Sequence, residues 1–183
     1  MNNKVVIFSF HYYNSKNKAG FHNIANAFKN CGFDVHFITT PVSIFSFLKR
    51  DPRIFNNGFI KNVFNSKTIN SVHSYINFNL FHPVNRNNIL FEKILLKFYN
   101  LNKRYYDIIK DADYIIFESS TALFFIDNVK LINPDAKLIY RMSDDVEEMN
   151  LPNMLKEKHK EFMKDFNLIS IPSFYMWQKY KKI

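Results

Sequence analysis

The sequence predicts an α/β fold: a Rossmann-like, doubly wound, mainly parallel sheet with helices on both faces. Segments of strand length alternate with segments of helix length along the chain. The strand segments are continuously apolar, which is typical of strands buried on both faces. The chain has 183 residues, of which 47% are hydrophobic and 22% are charged. This size and composition predict one globular domain, residues 1–183.

The first strand–helix–strand unit occupies the start of the chain. Residues 5–10, VVIFSF, form an apolar run that predicts a buried strand. Residues 19–31 carry apolar side chains at helical spacing, and Gly32 follows as a residue that commonly ends helices. The same patterns predict, in order, a strand at 35–39, a short helix at 43–49, and strands at 59–64 and 72–76.

The second half of the chain repeats this alternation. Residues 89–110 predict one long helix, and Asn133 with Pro134 predicts a turn before a strand. Pro152 stands where proline is tolerated, in the first turn of a helix. The remaining predicted elements are strands at 113–117, 137–140 and 168–171, and helices at 121–131, 152–165 and 173–182.

Polar side chains at the carboxyl ends of the predicted strands are the candidate functional residues. Ligands of open α/β sheets bind in the crevice beyond these ends. On this geometry alone the candidates are His11, Thr39, Thr40, Glu118, Ser119, residues 141–145, Pro172 and Ser173.

The segment 140–145, YRMSDD, holds one cation and two carboxylates at a strand end. An aspartate at this position can take a proton from a sugar hydroxyl as that hydroxyl attacks an anomeric carbon. Arg141 can pair with Asp144 or with a phosphate. The same residues also suit a solvated loop whose aspartate caps the next helix. The spacing alone does not decide between the two interpretations.

The segment 117–121, FESST, also closes a strand and opens a helix. Glu118 would be a second carboxylate near Asp144 if the two strands are neighbours. Free backbone N–H groups at the helix start favour anions, whereas Ser119 or Ser120 can equally serve as a helix cap. The histidines, His11 among them, suit packed or surface positions as well as a catalytic one.

Several motifs of metal and nucleotide sites are absent from the sequence. It contains neither HExxH nor CxxC, and no metal-ligand spacing among its histidines and its one cysteine. It contains no GxGxxG and no Walker loop. We therefore expect no metal and no cofactor bound by this chain.

The net charge of +9 indicates an anionic partner: a membrane surface, a nucleic acid or a phosphorylated substrate. Basic residues lie beside aromatic ones, which suits an anionic bilayer interface or RNA, and also a solvated basic face over a Phe-rich core. No run of about 18 apolar residues predicts a membrane span. These basic clusters are at 16–18, 49–53, 97–104 and 179–182.

Five segments in a fixed order carry a resemblance to a known family. They are SFH at 9–11, KAGFH at 18–22, LKRDPR at 48–53, HPVNR at 82–86, and the pair DYIIFES at 113–119 and LIYRMSDD at 138–145. The sequence resembles the N-terminal domain of the GumK-type glucuronosyltransferases, which act in exopolysaccharide assembly. The resemblance covers nearly the whole chain.

The resemblance implies the acceptor-binding half of a GT-B fold and an inverting, metal-independent glycosyltransferase. Asp144 matches the catalytic base of the family's Arg-x-Ser-Asp motif, with Arg141 and Ser143 holding its loop. The expected acceptor is a lipid-linked saccharide in exopolysaccharide or capsule assembly. The residues expected to line the acceptor cleft are His11, His82, Asn85, Arg86, Glu118 and Ser119.

The resemblance also implies what lies beyond this chain. The UDP-sugar donor is expected in a C-terminal domain that the chain, ending at Ile183, lacks. A second chain could carry that domain, and activity without it would be doubtful. Members of the family are cytoplasmic and peripheral on the inner face of the cell membrane, so an anionic membrane surface is an expected partner.

Two other function classes stay open at this point. One is a non-catalytic membrane- or saccharide-binding module that recruits a partner chain. The other is a nucleic-acid-binding α/β protein, which rests on charge and aromatic residues alone. We expect no nucleic acid as a partner.

Overall fold

The computed structural model describes residues 3–15, 18–51, 63, 67–86 and 88–181. The strands are β1 (Lys4–Ser9), β2 (Asp34–Ser43), β3 (Lys67–Ile69), β4 (Val72–Asn79), β5 (Tyr114–Glu118), β6 (Lys137–Arg141) and β7 (Leu168–Ser170). The α-helices are α1 (Gly20–Asn30), α2 (Ile44–Leu48), α3 (Ile89–Leu96), α4 (Tyr106–Lys110), α5 (Ile126–Ile132), α6 (Asn153–Met163) and α7 (Phe174–Tyr180). Short 3₁₀ helices at Lys103–Tyr105 and Thr121–Phe125 precede α4 and α5.

Within the described residues these strands form a seven-stranded sheet in the order β3-β4-β2-β1-β5-β6-β7. All neighbouring strands are parallel except β3 and β4, which pair antiparallel. The order runs outward from β1 in both directions, towards β4 on one side and towards β6 on the other. Such a reversal opens a crevice at the carboxyl ends of the strands.

The two faces of the sheet carry separate hydrophobic cores, and β1 contributes to both. Val5 and Ile7 pack with Phe21 of α1 on one face. Val6 and Phe8 pack with side chains of α4, α5 and α6 on the other. Side chains of a strand alternate between faces, so a strand covered on both sides is apolar throughout. The predicted fold class, a doubly wound α/β sheet, is confirmed.

The single helix predicted over residues 89–110 is wrong. The chain leaves the helical path because β4 binds the backbone of the interruption. Asn79 accepts a hydrogen bond from the N–H of Asn100 at 2.8 Å, and Asn77 accepts one from Asn102 at 3.2 Å. These partners lie 21 and 25 residues earlier in the sequence, where helical spacing gives no sign of them.

The Asn-rich part of the chain also differs from its prediction. The strand predicted at 59–64 falls outside the described residues apart from Val63. The strand predicted at 72–76 extends to Asn79 as β4. It pairs with the short strand β3 through a turn at Asn70 and Ser71, whose φ angles of 49° and 63° are those of a two-residue hairpin turn.

Candidate functional site

A cleft of about 810 Å³ opens at the carboxyl ends of the central strands. Its walls come from the segments that follow β1, β2, β4, β5 and β6. Of the nine site residues predicted from the sequence, seven line this cleft. They are His11, His82, Asn85, Arg86, Glu118, Ser119 and Asp144.

The two sides of the cleft have opposite chemistry. Glu118, Ser119 and Asp144 follow β5 and β6, and we call them the acidic side. Lys49, His82 and Arg86 follow α2 and β4, and we call them the basic side. His11, at the end of the central strand β1, stands between the two sides.

Glu118 is the most buried carboxylate of the acidic side, with 7% of its surface exposed. Its Oε2 accepts hydrogen bonds from the Ser9 hydroxyl and from the backbone N–H of Phe10, both at 2.7 Å. Burial raises the pKa of Glu118, and the nearby charge of Asp144 raises it further, against the opposing effect of these bonds and of His11. Its Oε1 lies 3.9 Å from Nε2 of His11.

Asp144 lies in the loop after β6 and is exposed to the cleft. Its backbone carbonyl accepts a hydrogen bond from the Ser119 hydroxyl at 3.1 Å. Its carboxylate makes no hydrogen bond within the described residues. Asp144 lies close enough to Glu118 for its charge to raise the pKa of Glu118. The expectation that β5 and β6 bring the two carboxylates together therefore agrees with the geometry.

Asp145 points away from this arrangement and holds the loop in place. Its carboxylate accepts hydrogen bonds from Lys179 at 2.8 Å, Tyr180 at 2.6 Å and the N–H of Glu147 at 3.0 Å. Partial burial acts to raise the pKa of Asp145, but these hydrogen bonds outweigh it and hold the pKa below its ordinary value. Asp145 therefore binds a turn within the loop and does not cap the next helix, α6, which begins at Asn153.

Arg141 and Ser143 do not line the cleft. Arg141 forms no ion pair with Asp144, so the first of its two possible pairings is not made in this structure. Its guanidinium instead lies at the start of α1, with Nη2 3.6 Å from the position that a Cβ would take at Gly20. Ser143 contributes its N–H, which donates to the Arg141 carbonyl at 3.0 Å and tightens the turn before Asp144.

The basic side is built from the segment after β4. His82 lies 2.6 Å through Nδ1 from the hydroxyl of Ser43, which also caps α2 by accepting the N–H of Phe45. This contact fixes the segment that carries Asn85 and Arg86 against the start of α2. Apolar side chains, Leu48 and Phe91 among others, complete the wall on this side.

Sequence reasoning missed a buried group of polar side chains behind the acidic side. Tyr140 and His159 are 0% and 1% exposed, and their polar atoms lie 3.0 Å apart. The Tyr140 hydroxyl also lies 3.0 Å from that of Ser119. A histidine inside a polar-faced helix gave no signal of this arrangement, since only the fold brings it to β6.

The described residues contain neither a candidate metal site nor a candidate membrane span. Within them, no group of three or more His, Cys, Asp and Glu side chains could hold a metal ion. No helix there combines the length and the apolar character needed to cross a bilayer.

The sheet defines a Rossmann-like domain, and the cleft lies at its topological switch point with two carboxylates in its wall. The chain belongs to the family of the N-terminal domain of glucuronosyltransferase GumK, whose family model matches residues 7–172. It is therefore a domain of a glycosyltransferase family. The family resemblance drawn from the five segments is confirmed.

A characterised relative supports this assignment. The chain is similar to the UDP-glucuronate:glycolipid 2-beta-glucuronosyltransferase of Xanthomonas campestris pv. campestris, with 32% identity over 71 residues. The match covers 39% of this chain and 18% of the length of that relative.

Proposed function

We propose that this chain is the acceptor-binding half of an inverting, metal-independent glucuronosyltransferase of the GT-B type. Its acceptor would be a lipid-linked saccharide of bacterial exopolysaccharide or capsule assembly. The relative that it resembles is named for a glycolipid acceptor and a UDP-glucuronate donor. The family is described as an N-terminal domain, which supports a donor site in a further domain, on the same chain or on a partner chain.

The observation that carries this proposal is the placement of Asp144. It is an exposed carboxylate at the wall of a cleft, on a loop whose backbone is held by Ser119. In the proposed reaction an acceptor hydroxyl attacks the anomeric carbon of the donor sugar. The new C–O bond forms as the bond to UDP breaks, and Asp144 takes the hydroxyl proton.

Glu118 and His11 would orient the acceptor beside Asp144. Glu118 is fixed by Ser9 and Phe10 and stands at the cleft wall, so it can receive hydrogen bonds from sugar hydroxyls. Arg86 and Asn85 would bind the saccharide on the opposite side.

We place the protein on the inner face of the cell membrane because apolar side chains are exposed on a face beside the cleft. Leu48 of α2 and Leu90 of α3 are 72% and 69% exposed, and Phe47 and Ile94 on the same two helices are exposed as well. Leu48 and Phe91 bring both helices to the wall of the cleft. Basic side chains, Lys49 among them, share this face. Apolar side chains mixed with basic ones suit the interface of an anionic bilayer. A lipid-linked acceptor could enter the cleft from that surface.

Turnover of an Asp144→Asn variant tests the proposal. This chain is combined with a donor-binding domain, UDP-glucuronate and a glycolipid acceptor, and product formation is measured. Loss of the general base lowers turnover by about 10²–10⁴-fold. The matched control is Glu148→Gln, an exposed carboxylate on the same loop that does not line the cleft. Near-normal turnover of Asp144→Asn would remove Asp144 from the role.

The same assay separates the enzyme from a non-catalytic module. A module that only recruits a partner would bind the lipid-linked saccharide without forming product in any combination of chains. The exposed apolar face supports membrane or lipid binding under both functions, so only turnover distinguishes them.

A further inference from the structure

A chain of hydrogen bonds runs through the interior from the Asp144 loop to α6. The Ser119 hydroxyl donates to the backbone carbonyl of Asp144 at 3.1 Å. The Tyr140 hydroxyl lies 3.0 Å from Ser119 and 3.0 Å from Nε2 of His159. Ser119, Tyr140 and His159 are all buried, so water does not compete for these bonds.

The donor and acceptor in each of these hydrogen bonds follow from the protons that the groups carry. A backbone carbonyl only accepts, so the single Ser119 hydroxyl hydrogen points at Asp144. Ser119 oxygen then accepts from Tyr140, and Tyr140 oxygen accepts from His159. His159 must therefore carry a proton on Nε2.

The opposite nitrogen of His159 is left unsatisfied. Its Nδ1 is buried and has no hydrogen-bond partner among the residues that the structure describes. Burial lowers the pKa of His159 to about 4, so the ring is neutral at pH 7. An unsatisfied buried nitrogen costs stability. A feature that costs stability beside a reactive group is typical of functional positions.

Asp144 depends on this series of hydrogen bonds for its position. Within the described residues its carboxylate makes no hydrogen bond, so only its backbone is held directly. The next residue, Asp145, is bound by Tyr180 and Lys179 of α7. The loop is thus tied to α6 through Tyr140 and His159, and to α7 through Asp145.

We infer that Tyr140 and His159 are positioning residues for Asp144: they fix its backbone through Ser119 and so keep the carboxylate at the acceptor hydroxyl. The role of Asp144 as base rests on the proposed function, whereas the tethering of its loop does not. A general base must hold a defined geometry to act, and a small displacement reduces turnover.

Tyr140→Phe removes one hydroxyl and leaves the aromatic packing in place. The control is Tyr12→Phe, another fully buried tyrosine, whose hydroxyl has no hydrogen-bond partner in the part of the chain described. Amide hydrogen exchange is followed by NMR on this chain. We expect exchange at Ser143 and Glu148, the loop amides that donate to the carbonyls of Arg141 and Asp145, to become about five- to tenfold faster in Tyr140→Phe, as for the loss of one hydrogen bond, and to stay unchanged in Tyr12→Phe. Unchanged exchange in Tyr140→Phe would overturn the tethering.

The tautomer of His159 gives a second readout. Nitrogen NMR at pH 7 should find the neutral ring protonated on Nε2. A proton on Nδ1 instead would break the chain of donors and overturn the inference.

Turnover then links the tether to the reaction. In the assay with donor domain and glycolipid, Tyr140→Phe should lower kcat about tenfold and leave KM unchanged, because binding residues of the cleft are untouched. Faster exchange with an unchanged kcat would overturn the positioning role. If Tyr140→Phe loosens the loop while Asp144→Asn keeps full turnover, the tethering stands and the proposed role of Asp144 fails.

Discussion

The acidic and basic sides of the cleft are built in different ways. On the acidic side, Glu118 and Ser119 are buried and bound to neighbouring strands or loops, and a buried network stands behind Asp144. On the basic side, Lys49 and Arg86 are exposed on connecting segments. Fixed polar groups suit the placement of reacting atoms, whereas exposed, long side chains suit the attraction of a ligand. The cleft thus separates a rigid side for chemistry from an adaptable side for recognition.

The largest effect that sharpens this comparison is the pH dependence of stability, because a buried histidine, His159, lies behind the acidic side. Burial lowers the pKa of His159 to about 4, while Asp145 and Glu147 act to raise it and Lys179 and Lys160 to lower it. The unfolded chain takes up this proton near pH 6.5. Between these values the unfolded state binds more protons, so stability falls as the pH falls.

We expect His159 to account for up to about 3 kcal/mol of stability lost between pH 6.5 and pH 4. Chemical denaturation of the wild type and of His159→Gln across this range measures the free energy of unfolding. The variant should lose less stability than the wild type. The other buried histidines, His22 and His36, are present in both proteins, so their titration cancels in the comparison. Parallel pH profiles would show that His159 is not the group responsible.

A smaller effect tests the contact between α3 and α6. Glu92 of α3 is fully buried, and its carboxylate accepts the N–H groups of Asn153 and Met154 at the start of α6. Glu92→Ala leaves both donors unpaired and should lower the free energy of unfolding by about 2 kcal/mol. Glu157→Ala, exposed on α6, should change it by less than about 0.5 kcal/mol. Equal effects of the two substitutions in urea denaturation would rule out this capping role.

The smallest effect concerns the basic side and the apolar face. Lys49→Ala should weaken binding to vesicles of phosphatidylserine and phosphatidylcholine about fivefold at low salt, since one basic residue contributes about 1 kcal/mol near such a surface. Lys110→Ala, on α4, is the control at an exposed site that does not line the cleft. Vesicle sedimentation measures both. Equal loss in the two variants would mean that charge alone, and not this face, directs binding.

The fold was predictable where burial alone determines the pattern. A strand covered on both faces must be apolar over its buried length, and VVIF at residues 5–8 of β1 met this condition. The approach of Glu118 to Asp144 was predictable for a related reason, since the carboxyl ends of neighbouring parallel strands meet at one edge. The helix over 89–110 failed because the side chains that interrupt it belong to β4.

The directions of side chains, and contacts between residues far apart in the chain, could not be predicted from the sequence. Arg141 ends a strand whose last side chain can turn towards the cleft or towards α1, and only the folded structure shows that it lies beside Gly20 at the start of α1. His159 meets Tyr140 only after α6 has folded back on the sheet. Asp145 and Asp144 are adjacent and chemically identical. Only the contacts of Lys179 and Tyr180 show that Asp145 holds the loop and leave Asp144 as the candidate base.

The central claim, that Asp144 stands at the reacting hydroxyl of a saccharide, is tested most directly by a structure of the chain with a glycolipid acceptor bound. We predict an acceptor hydroxyl within about 2.6–3.2 Å of the Asp144 carboxylate, with Glu118 and His11 contacting the same sugar. A saccharide bound in the cleft with no hydroxyl near Asp144, or bound outside the cleft, would contradict the account.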